Sequence, residues 1–112
     1  MIFRLWHGWA APDEAGAYER LLNGTVAPAI MARRVTGLRE LTTLRRAARE
    51  TDDHSTEFAT LMRFDSWAAV RSFTGGDPSA SVVPAAARDL LSRFDEHSVH
   101  YELLHRHLPP PD

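Results

Sequence analysis

Residues 35–49 read VTGLRELTTLRRAAR, and the choice between strand and helix for this stretch decides the fold. Leu38, Leu41, Leu44 and Ala48 fall at helical spacing. The run is nevertheless rich in β-branched residues and irregular at the 3.6-residue period of an amphipathic helix. The next segment favours the strand. Thr51-Asp52-Asp53-His54-Ser55 is a polar turn, and residues 56–64, TEFATLMRF, place Phe58, Thr60, Met62 and Phe64 on one face at period two. Two extended runs joined by a short polar turn predict a long antiparallel hairpin, with Gly37 marking a bend or bulge.

Working outward, residues 2–9 read IFRLWHGW, with Phe3, Leu5, His7 and Trp9 alternating against Ile2, Arg4, Trp6 and Gly8. Bulky groups on both sides predict a strand covered on both faces or set at a dimer interface. Pro12-Asp13-Glu14 supplies a stop and an acidic first turn, after which Ala17, Tyr18, Leu21, Leu22, Val26 and Ala29 form an apolar helical stripe to about residue 33. Pro28 lacks a backbone donor and is expected to bend or break that helix near residues 24–27. Beyond the hairpin, Asp65-Ser66 caps a short helix that starts at Trp67 and stops at Gly75-Gly76. Residues 77–84 are turn-rich, with Val82-Val83 expected as a buried extended contact, and Ala87, Leu90, Leu91 and Phe94 predict another short helix from Ala85. Residues 98–107, SVHYELLHRH, read as a last strand before a proline-rich tail that cannot continue a ladder.

The order is β-α-β-β-α-β, so the chain is expected to be an α+β, ferredoxin-like domain over residues 1–108 with a tail at 109–112. Its 112 residues suffice for one core, since a chain of this size buries about 65% of the surface its unfolded form exposes. Helices on one face of four strands leave the other face bare, and here both faces carry large apolar groups. A homodimer whose two sheets close into a barrel is therefore expected.

Composition removes several classes of function. The absence of cysteine excludes disulfides, a thiol nucleophile, thiolate-bound zinc and ordinary iron–sulfur ligation. All 13 basic residues are arginine, so no lysine Schiff base can form. A net charge of -2, with the arginines at 33, 34, 45, 46 and 49 lacking interleaved aromatics, argues against a nucleic-acid partner. No run approaches the roughly 18 apolar residues of a membrane span, and MIFRLWHGW has none of the marks of a secretion signal; a cytoplasmic protein is expected. Gly75-Gly76 follows a helix and adjoins no lysine, so it is no phosphate loop. His105 and His107 share a strand face while His100 does not, and no carboxylates repeat beside them, so no metal site is expected.

Four stretches, IFRLWHGW (2–9), EFATLMRFDSWAAVRSFTG (57–75), PSASVVPAAARDLLSRFD (78–95) and HYELL (100–104), together resemble the antibiotic biosynthesis monooxygenase-like family of the dimeric α+β barrel superfamily. RFDSWAAVRSF is the most specific part. The resemblance spans nearly the whole chain and implies a dimer with a pocket in each subunit between the sheet and its helices. Characterised members include cofactor-free quinone-forming monooxygenases, haem-degrading oxygenases, and enzymes that isomerise or decarboxylate small substrates. Haem degraders bind iron through a histidine in the helical region after the third strand, and this chain has none between His54 and His97. The resemblance therefore implies a cofactor-independent monooxygenase acting on a small planar aromatic or enolisable compound. A non-catalytic binding dimer, and an isomerase or decarboxylase, are the alternatives.

The residues that would carry this chemistry follow from the strands. His7, between two tryptophans, is a candidate base, Trp9 sharing its face; the alternative is a structural histidine. On the other face Arg4 would steady a developing anion and Trp6 would line the pocket; parity alone leaves open which face is which. Arg39 is a further candidate, against a salt bridge to a neighbouring acid. His100 and Tyr101 open the last strand, where one should face the pocket and Tyr101 would bond a substrate oxygen. Trp67 matches the tryptophan that opens the family's pocket helix. Met62, Phe64 and Phe73 would supply an apolar wall or serve equally well as core.

Overall fold

Residues 35–49 do contain a strand, shorter at its start than expected. In the computed structural model, which describes residues 1–47 and 54–112, β2 (Leu38–Arg45) pairs antiparallel with β3 (Thr56–Phe64). Val35 to Gly37 turn instead. Gly37 adopts a φ of 85°, and a Cβ there would come within 2.6 Å of the Ala69 Cβ, so only glycine fits. The register slips between Leu38 and Glu40, giving the anticipated bulge. The expected strand end at residues 48–49 and the turn at 51–53 fall outside the described residues.

β1 (Ile2–Ala10) pairs antiparallel with β3 along its whole length. Its other edge is shared by two short strands: β4 (Arg93–Phe94) pairs with Gly8 and Trp9, and β5 (Val99–Glu102) pairs with Ile2 to Leu5. The sheet order is β2-β3-β1, with β4 and β5 together occupying the fourth position. This is the ferredoxin-like arrangement, with its last strand broken in the middle. Asp95 causes the break. Its side chain folds back and its Oδ2 accepts the His7 backbone N–H at 2.8 Å, a bond that a regular ladder would give to a carbonyl.

Two expectations about this edge need correction. Phe94 belongs to β4 and not to a helix, because α4 (Ala85–Leu90) ends as Leu91 turns extended to meet β1. The last strand stops at Glu102, since β1 offers no further partner once the Leu103 N–H has reached the Met1 carbonyl at 3.0 Å. Residues 103–112 are exposed, Leu104 at 93%.

Pro28 does not break the first helix either. α1 (Ala15–Leu21) passes through a π-helical turn at Leu22–Val26 into α2 (Ala27–Ala32). Proline cannot donate to the carbonyl four residues back; the wider turn, in which the Ala27 N–H bonds the Leu22 carbonyl, accommodates it within a continuous helix. α3 (Trp67–Thr74) begins and ends as anticipated: Ser66 Oγ accepts the Ala69 N–H at 3.2 Å, and Gly75 closes the helix in the left-handed region. No helix among the described residues is long and apolar enough to cross a membrane.

All helices pack on the face of the sheet that carries the even-numbered residues of β1. Ile2, Met62, Phe64, Val70 and Phe73 form one core cluster there; Ala10, Tyr18, Leu22, Phe58, Ala87 and Leu91 form another. The opposite face carries Phe3, Leu5 and His7 of β1, with Tyr101 beside Phe3, Val99 beside Leu5, and Leu61 and Ala59 on β3. None of the described helices or segments covers it, and Tyr101 is 54% exposed.

Candidate functional site

Between the two core clusters the sheet is floored by two rows of side chains, Met62 among them belonging to the first cluster. One row across the strands runs Leu41, Met62, Arg4, His100, and the next runs Thr43, Thr60, Trp6, with Ser98 beyond the end of β5 in line with it. The helix of α1, the π turn and α2 walls the gap with Leu22, Val26, Ala27 and Ile30, and the 82–84 segment closes it with Val82, Val83 and Pro84. The result is a cavity of about 60 Å³, room for about four water-sized positions. Its walls are mostly apolar; of its polar groups, Arg4, Trp6, Thr60 and Ser98 come from the sheet side and Tyr18 from α1. A larger groove of about 660 Å³ beside Glu19, Arg45, Arg46 and His54 is open and polar.

Arg4 is only 4% exposed. Its Nη1 donates to the Pro78 carbonyl at 2.5 Å and to His100 Nε2 at 3.1 Å, and its Nη2 to the Ala80 carbonyl at 2.7 Å. These bonds tie the 77–80 segment to the sheet. Burial lowers the guanidinium pKa to about 10, opposed by the field of Asp77. Because His100 Nε2 accepts, the His100 proton sits on Nδ1; burial and then the Arg4 charge lower its pKa. Ser98 is 6% exposed, and its Oγ has no hydrogen-bond partner among the described residues.

Trp6 lies along its own strand over Gly8, where a Cβ would come within 2.8 Å of the indole. Its Nε1–H donates to the Asp95 carbonyl at 2.9 Å, and Ser81 Oγ–H donates to the same oxygen at 2.7 Å. Tyr18 faces the cavity from α1, its ring tilted against Phe58 with centroids 4.9 Å apart, with burial raising its hydroxyl pKa to about 12. Among the described residues no carboxylate or imidazole lines the cavity.

The residues singled out from sequence separate sharply. Arg4, Trp6, Met62 and Phe73 line the cavity. Phe64 lies behind it in the core, 5.8 Å from the Phe73 ring. His100 touches it only through Arg4. Trp67 is 39% exposed and rests on His100 at 5.1 Å, outside the cavity. Arg39 lies on the surface in an ion pair with Asp65.

His7, Trp9 and Tyr101 stand on the opposite face, because their parity on β1, and the Phe3–Tyr101 pairing, directs them away from the helices. There His7 Nδ1–H donates to Asp95 Oδ2 at 2.8 Å, and its ring stacks on Trp9 at 5.9 Å. Trp9 in turn donates to Glu57 and lies under the Arg93 guanidinium at 4.1 Å. Val82, expected to be buried, is exposed at the cavity mouth, while Val83 packs inward. Sequence reading passed over Ser98 and Tyr18. Tyr18 belonged to the helical stripe, but Ser98 can be placed beside Trp6 only once the register of the broken fourth strand is known.

No protein-family model and no curated protein matches the chain. Solved structures do. Rv0793 from Mycobacterium tuberculosis superposes with a TM-score of 0.60 at 18% identity, over 94% of this chain and 96% of its own. A Bacillus cereus protein provisionally named an antibiotic biosynthesis monooxygenase matches with a TM-score of 0.57 at 11% identity, over 96% and 97%. A dimeric ferredoxin-like protein from an uncultured marine organism matches with a TM-score of 0.61 at 9% identity, over 96% and 98%. With nearly full coverage on both sides and identities this low, the chain has in common with these proteins its whole α+β, ferredoxin-like fold.

Proposed function

We propose that the chain is a cofactor-independent monooxygenase of the antibiotic biosynthesis monooxygenase-like kind, working as a homodimer on a small planar aromatic or enolisable compound. The observation that carries this reading is a buried arginine with spare N–H donors, beside a hydroxyl with no partner among the described residues, on the floor of a mostly apolar cavity. The fold held in common with the Bacillus cereus protein supports it. In such a reaction a CH₂ next to a carbonyl loses a proton, and the enolate carbon passes electrons to dioxygen. One oxygen atom becomes the new carbonyl and the other leaves as water. Arg4 and Ser98 would hold the enolate oxygen. A buried cation favours the ionised enol or phenol, so that the proton can pass to solvent water without a base in the cavity wall. His7 and Tyr101, across the sheet, have no part in this step.

The homodimer rests on the uncovered apolar face and on the dimeric state of one structural neighbour. Oxygen uptake with anthrone-like and hydroquinone substrates tests the reaction. One ¹⁸O atom per product from ¹⁸O₂, lost in Arg4→Met, is expected. The second reading, a binding dimer without turnover, is favoured by the lack of any carboxylate or imidazole in the lining. Stoichiometric binding with the ligand recovered unaltered would establish it in place of the first.

A further inference from the structure

We infer that the ligand of this cavity is a compact monocarboxylate, with its anion seated on Arg4 and Ser98 and its apolar body against Ile30, Leu41 and Val83. The inference rests on the reading above in taking the cavity as the ligand site, and revises its anchor: Arg4 and Ser98 seat a carboxylate of the ligand in place of the enolate oxygen.

The first ground is an uncompensated charge. Arg4 is buried, yet its partners are two carbonyls, a neutral imidazole and the face of the Phe73 ring at 5.4 Å, and no described carboxylate lies within ion-pair distance of it. Asp77, whose field reaches it, is exposed and spends Oδ1 on the Ser79 N–H and hydroxyl. Buried charges in folded proteins are paired as a rule, because an isolated one is expensive to desolvate.

The second ground is donor geometry. A guanidinium has five N–H bonds. Two on Nη1 and one on Nη2 are engaged, which leaves the Nε–H and the second Nη2–H. Nε and Nη2 share one edge of the group, and it is by this edge that Arg39 holds Asp65 elsewhere in the chain.

The third ground is independent of Arg4. Ser98 Oγ is buried, lines the cavity and lacks a partner. Antiparallel register sets Arg4 opposite His100 and Leu5 opposite Val99, so Ser98 falls on the Arg4 face one row along. A carboxylate with one oxygen on the arginine edge and an acceptor directed at Ser98 satisfies both groups. A neutral carbonyl would leave the charge unmatched. A phosphate dianion exceeds the single positive charge available, and water fills hydrogen bonds without neutralising anything.

The test is calorimetric titration of the full chain with acetate, 3-methylbutanoate and benzoate, each against its amide. The carboxylate of best size should bind at least about tenfold tighter than its amide. Ser98→Ala should weaken it about fivefold to tenfold with an unchanged or higher melting temperature, because a buried orphan hydroxyl is removed. Arg4→Lys, which keeps the charge but loses the fork, should weaken it further. Amides that bind as tightly as the acids would overturn the carboxylate anchor while leaving the cavity as the ligand site. Carboxylate affinity unchanged in both variants would place the anion elsewhere and overturn it too. Failure of acids and amides alike, with oxygen uptake intact on neutral substrates, would sink the inference alone; failure of both would remove the proposed function with it.

Discussion

The two faces of this sheet are built from the same strands and do opposite things. On the helix-covered face Ile2, Phe58, Met62 and Phe64 are fully buried, and the gap left between their clusters holds a buried arginine and serine. On the other face Phe3, Leu5, Leu61 and Val99 form an apolar strip that the described residues leave uncovered. The difference teaches where to look for each kind of partner. A concave gap with polar groups at its floor suits a small molecule, and a broad apolar face suits another sheet.

Phe64→Ala attacks the covered face, where the ring is completely buried against Phe73. It should lower unfolding free energy by about 3–5 kcal/mol, equally at all protein concentrations, as read from urea melts. Leu61→Asp attacks the open face. It should leave the fold largely intact yet weaken dimerisation more than about a hundredfold, since a charge would be desolvated in an apolar interface. Size-exclusion chromatography over a dilution series reads this, and a variant eluting as the wild type would break the contrast.

Much of this contrast was legible in the sequence. The period-two pattern of Phe58, Thr60, Met62 and Phe64 marked one face of β3, and the bulky groups on both sides of IFRLWHGW announced that both faces carry large side chains. Parity also paired Arg4 with Trp6 against His7 with Trp9. It left undecided which pair meets the helices, because the answer depends on the hand of the crossover and on packing, neither of which is written in one strand. The histidine between two tryptophans drew attention for its chemistry, yet it lies away from the cavity. The break at Asp95 was invisible for a related reason: a side chain replaces a ladder bond there, and no local propensity marks it.

Asp95 links the two faces, holding His7 on one side while its carbonyl takes Trp6 and Ser81 on the other. Asp95→Ala removes the acceptor for two His7 donors and should destabilise by about 1–3 kcal/mol. Asp95→Asn, which keeps an acceptor for one of them, should recover part of that loss in thermal melts. Full stability of the alanine variant would show the broken strand to be held by packing alone.

The smallest effect concerns pH. His100 is held neutral beside Arg4, with its pKa below the ordinary 6.5. As pH falls, the unfolded chain therefore takes up this proton before the folded one does. The stability due to His100 is present above 6.5 and is lost as pH drops through the lowered folded value. His100→Gln keeps an acceptor for Arg4 without titrating. Its melting temperature should fall less than that of the wild type between about pH 7.5 and about pH 5; parallel curves would remove His100 from the pH response.

The division of labour between the faces is tested most directly by sedimentation equilibrium of the unmodified chain at micromolar concentration. A mass twice the 12.6 kDa of one chain is the expected result, with the apolar strip as the interface. A mass of 12.6 kDa that persists as the concentration rises would contradict the account, because that strip would then stand in water with no partner to cover it.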